Sequence, residues 1–145
     1  MKIKSQTLNQ SGASAIEFAF LLPVLLLFLF GIIEFSVLFY NKAMITNASR
    51  EGARAGINYD WDGSEGWTDT DTVEDVVEAY LGNMLITFGD NETITTRVSD
   101  NDTILDHGTP RTVTVEYNYD FLILPKFADK VANLRLTAET VMRLE

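Results

Sequence analysis

The sequence has no cysteine among its 145 residues. That excludes a disulfide framework, a thiol nucleophile and every thiolate metal centre. It has one histidine, His107, so a zinc site would have to be completed by carboxylates alone. A Ser-His-Asp triad could use only that residue, and no strand–Gly-x-Ser-x-Gly–helix context surrounds any serine. Charge is also missing locally. No acid precedes Glu17, and no charged residue lies between Phe18 and Ile33. No packed core of this size needs six residues such as Leu25-Leu-Leu-Phe-Leu-Phe30 in succession. A bilayer accommodates them.

What is present fits that reading. From Phe18 to Tyr40 the only charged residue in the apolar run is Glu34. As a helix it would extend about 34 Å, enough to cross a hydrocarbon layer of roughly 30 Å. Lys2 and Lys4 precede it, and basic residues before a span favour a cytoplasmic N-terminus with the remainder sent across. The formal charge is −10. Lys2 and Lys4 (+2) cancel Glu17 and Glu34 (−2), so residues 35–145 carry the full −10. An acidic exported domain repels nucleic acid, which is not expected as a partner.

Three regions follow: a basic leader at 1–12, one long helix at 13–56, and a head at 57–145. The helix is apolar first and amphipathic later. Ala48, Gly52 and Gly56 recur every four residues and form a small-residue face open to close packing. Residues 57–71, rich in Gly, Asp and Ser, read as a loop. Thr72 with Asp75 resembles a capping box, and Val73, Val76, Val77, Tyr80, Leu81, Met84 and Leu85 form a helical stripe. Period-two alternation then predicts strands at Ile94–Val98, Val113–Tyr119 and Leu134–Met142. The Phe121–Phe127 segment, interrupted by Pro125, reads as a packed connection. The expected fold is α+β: a long N-terminal transmembrane helix continuing into a head of one helix on a small antiparallel sheet.

The sharpest local signal is Ser11-Gly-Ala-Ser-Ala-Ile-Glu17-Phe18. A small residue ends the leader, four uncharged residues follow, and one acid stands before the apolar helix. This resembles the cleavage site of type IV prepilins, with the aromatic after the acid similar to the Tad (tight adherence) branch. Gly31-Ile-Ile-Glu34-Phe, Ala48-Ser-Arg50-Glu51-Gly-Ala-Arg54-Ala and the ending Leu136–Glu145 also resemble TadE/TadG pseudopilins. The middle, from about 57 to 133, carries no family motif. The resemblance implies a minor pilin cut between Gly12 and Ala13 by a prepilin peptidase. Glu17 and Phe18 would then act in assembly, with Glu17 free to pair with the new Ala13 amine. It also implies a bacterial inner-membrane location, the head in the periplasm or on the surface, and a role in Tad pilus assembly, adhesion or secretion. The partners are the peptidase, other pilin or pseudopilin subunits and the lipid bilayer; no enzyme activity, cofactor or metal is implied.

Other features carry less. Asp60-Trp61-Asp62-Gly-Ser-Glu65 and Asp69-Thr-Asp71 cluster oxygen ligands but complete no calcium loop, and read as a solvated acidic loop. Trp61 and Trp67 are expected to pack, and His107 to sit in a surface turn. A membrane-tethered binding module that never polymerises is the alternative function, and it differs in needing no cut after Gly12.

Overall fold

A computed structural model of the chain describes residues 10–60, 66–82, 84–87, 94–100, 106–121 and 133–144. The leader before residue 10, the loop segment 61–65 and the connection after Phe121 lie outside the described residues.

One helix, α1, runs unbroken from Gln10 to Gly56. Pro23 lies inside it, and its ring removes the N–H that would bond the Ala19 carbonyl. The helix has two halves of different character. From Gly12 to Ile33 each residue is exposed except the half-buried Gly31. Beyond that point one face is buried, through Glu34, Asn41, Ile45, Ala48, Gly52 and Gly56. At 100° per residue these positions fall on one stripe, which is the head-facing side.

The second helix, α2, spans Thr70–Leu81. Its cap is Asp69, not the expected Thr72: the Asp69 carboxylate accepts the Thr72 backbone N–H at 2.8 Å. Asp is the stronger cap because its charge also meets the positive end of the helix. Bonds from Thr72, side chain first and backbone second, hold the Asp69 carboxyl below its usual range. Val73, Val77 and Leu81 are buried. Met84 and Leu85 leave the predicted stripe because Gly82, at φ 32°, ends the helix. The predicted 57–71 loop contains a short antiparallel pair, β1 (Tyr59–Asp60) with β2 (Gly66–Trp67). Tyr59 faces Trp67 in it, their rings edge-on at 5.3 Å.

Three antiparallel strands form the main sheet in the order β3 (Ile94–Asp100), β4 (Pro110–Asp120), β5 (Asn133–Arg143). Register runs from Ile94 opposite Tyr117 to Asp100 opposite Arg111, and from Pro110 opposite Arg143 to Asp120 opposite Asn133. Central β4 alternates strictly: Arg111, Val113, Val115, Tyr117 and Tyr119 are buried, and the residues between them half-buried. On that second face Glu116 lies 3.8 Å from Arg97 and 3.5 Å from Arg135; both arginines are exposed, so this ladder adds little stability. The core joins Ile45, Ala48 and Ala53 of α1 to Val73, Val77 and Leu81 of α2 and to the inner faces of β4 and β5. The head is thus built around the second half of α1.

Candidate functional site

Two places on α1 carry the residues of interest. The first is its N-terminal turn. Gly12 lies just inside the helix, with open space where a Cβ would stand. Ala13, Glu17 and Phe18 are all exposed. First-turn N–H groups have no partner within the helix, so opening the Gly12–Ala13 region costs little. Glu17 is one turn from Ala13 on the same face. At mid-bilayter depth an exposed acid costs about 2.5–3.5 kcal/mol on insertion scales, so Glu17 belongs near the polar boundary.

The second place is where the bare helix meets the head. Glu34 is only 3% exposed, and its carboxyl oxygen accepts the Tyr119 hydroxyl at 2.7 Å. Burial, and after it the bond to Glu34, push the Tyr119 phenol above its ordinary range. The Tyr119 ring packs edge-on against Phe121 at 5.2 Å. Two turns further along α1, Asn41 is fully buried and clamps the chain beyond α2. It donates to the Ile86 carbonyl at 2.7 Å and accepts the Ile86 N–H at 3.0 Å. Lys42 donates to the Thr137 carbonyl on β5, and Ser49 shares a 2.8 Å hydrogen bond with Thr140. At the far end Arg111 donates to the Gly56 carbonyl at 2.7 Å and to the Thr68 carbonyl at 2.5 Å. It thereby caps the negative end of α1 with a buried cation.

The structure therefore places the predicted residues in two groups. Gly12, Ala13, Glu17 and Phe18 stand together on the exposed N-terminal turns. Ala48, Gly52 and Gly56 face the interior of the head: a Cβ on Gly52 would stand 2.5 Å from Val77 Cγ2, and one on Gly56 3.1 Å from Val73 Cγ2 and Arg111 Cδ. Sequence reasoning noted Glu34 but gave it no role, and passed over Asn41 and Arg111. The first two repeat seven apart with Ala48, a spacing that marks them as members of the head-facing stripe. Arg111 gave no comparable signal. Trp67 is half-buried between Tyr59 and His107, and His107 is exposed in the turn before β4. Among the described residues no three His, Asp or Glu side chains are grouped to hold a metal ion.

The helix is long and apolar enough to cross a membrane, and among the described residues none buries its most apolar stretch. Comparison with known families matches residues 12–54 to the model of TadE-like proteins. No curated protein and no solved structure matches the chain. The TadE-like segment coincides with α1 from the candidate cleavage glycine to its last turn.

Proposed function

We propose that this chain is a minor pilin-like subunit of a Tad-type pilus machine, matured by a prepilin peptidase that cuts between Gly12 and Ala13. The observation that carries the reading is the TadE-like match over residues 12–54, on a helix whose first half is bare and apolar while its second half carries the head. In this reading the protein sits in the bacterial inner membrane with its N-terminus cytoplasmic and its head outside. The lipid-facing half holds it until it engages other pilin or pseudopilin subunits, in support of pilus assembly and adhesion. Glu17 pairs with the Ala13 amine released by cleavage, which offsets the cost of burying either charge among packed helices. The chain has no catalytic role of its own.

The test is the intact mass and N-terminal sequence of the protein recovered from native membranes. A chain beginning at Ala13 is expected. Gly12→Val should block the cut, because a branched side chain obstructs the approach to the backbone, and precursor should accumulate in the membrane. Uncut wild-type protein with full attachment activity would instead leave the tethered binding module standing.

A further inference from the structure

Given the membrane-spanning reading above, the boundary between span and head needs to be located, and the length of α1 permits two registers. In the first, hydrocarbon covers Gly12 to Ile33, about 32 Å, and the head stands clear of the bilayer. That register drops exposed Glu17 more than a turn deep into lipid. It also leaves a ring of large apolar side chains in water. In the second, the hydrocarbon runs from Phe18 to Phe39, again about 32 Å. Glu17 then lies at one polar boundary and Lys42 just beyond the other.

The obstacle to the second register is Glu34, which would lie within the apolar layer. The head removes that obstacle, since Glu34 is 3% exposed and bonded to Tyr119. On α1 the side chains that face outward at this height are aromatic apart from Ser36, whose hydroxyl is bonded back to the Ile32 carbonyl at 2.7 Å. Phe35, Phe39 and Tyr40 are 55%, 67% and 43% exposed, within the 9 Å of helix that follows Glu34. Phe35 and Phe39 rest against each other at 6.5 Å. Ile86, 40% exposed, is held at the same height by its paired bonds to Asn41. Above them the outward face of α1 turns polar, with Asn47 and Arg50 exposed.

We propose that Phe35, Phe39, Tyr40 and Ile86 form a collar immersed in the lipid leaflet nearest the head, with Glu34 shielded inside it by Tyr119. The collar continues the lipid-facing surface of the spanning half, with the internally bonded Ser36 as the polar residue within it. Its aromatic rings lie where such side chains favour the interface between acyl chains and headgroups.

The absence of cysteine makes the test direct. Phe39→Cys, Ile86→Cys, Leu25→Cys and Asn47→Cys each introduce one thiol for a nitroxide label. The full-length variants are reconstituted at low protein density in phosphatidylcholine–phosphatidylglycerol vesicles. Collision with oxygen, which partitions into lipid, is compared with collision with a water-soluble nickel chelate. Labels at 39 and 86 should favour oxygen several-fold more than the label at 47, with the label at 25 deepest. Labels at 39 and 86 that behave like 47 while 25 is embedded would overturn the collar and leave the spanning reading intact. A water-exposed label at 25 would remove the span and the collar with it. Protection at 39 and 86 from both reagents that grows with protein density would assign the surface to a neighbouring subunit, against lipid.

Discussion

Tyr119 and Glu34 face each other across the junction, joined by a 2.7 Å hydrogen bond deep in the protein. Tyr119→Phe keeps the ring and its packing but deletes the donor, so it should cost about 1–3 kcal/mol, the penalty of a buried acceptor losing a hydrogen bond. Urea unfolding of detergent-solubilised protein measures this; Glu34→Gln, which still accepts, should cost less. The same pair sets a pH dependence. The phenol is raised above its ordinary value by burial and by Glu34, so the unfolded chain gives up this proton first. Stability from this group is whole below about pH 10 and declines as pH rises above it. Tyr119→Phe should lack that part of the alkaline decline. At the other end of the helix, Glu17→Ala should leave the cut after Gly12 intact but abolish attachment, since the Ala13 amine then has no nearby anion from its own chain. Immunoblots for processing beside an adhesion assay in one strain decide it. Normal attachment by the variant would make Glu17 a wetted boundary charge only.

Between elements, the contact of α1 with α2 rests on absent side chains. Gly52→Ala sets two effects against each other. Helix propensity favours Ala by about 1 kcal/mol. Packing opposes it, because the new Cβ would stand 2.5 Å from Val77 Cγ2, and a valine within a helix has one strongly preferred rotamer with which to yield. Overpacking of this kind costs about 1–3 kcal/mol, so net destabilisation is expected in thermal unfolding followed by circular dichroism. Val77→Ala combined with it should recover much of the loss. How far such features could be read in the sequence depended on whether their causes were local. The β4 alternation and the Val73–Val77–Leu81 stripe follow from periodicity alone. The four-residue spacing of Ala48, Gly52 and Gly56 marked a close approach, but the α2 partners of the two glycines, Val73 and Val77, are 17 to 25 residues away in sequence, beyond the reach of pattern. Thr72 resembled a cap only because the stronger claim of Asp69 depends on where the first turn begins. Tyr119 with Glu34 and Arg111 with Gly56 join residues more than 50 positions apart, and nothing local announces such pairs.

For the whole molecule, the core composition predicts which pieces fold. A fragment from Tyr59 onward would lack Ile45, Ala48 and Ala53 and the Gly56 carbonyl that Arg111 binds. It should unfold without a cooperative transition, whereas a fragment beginning at Glu34 should show one; calorimetry or urea titration of the two distinguishes them. That dependence has a mechanical side. Since α1 passes from the bare half into the head with no break, the head has no hinge of its own. Measured from Pro23, the rod to Gly56 is a lever of about 50 Å. A bend of about 20° at that proline would carry its far end sideways by about 17 Å. Bilayer thickness alters the tilt of spanning helices. Lipid composition therefore becomes a steering variable, aiming β3, β4 and β5 toward or away from whatever stands beside them.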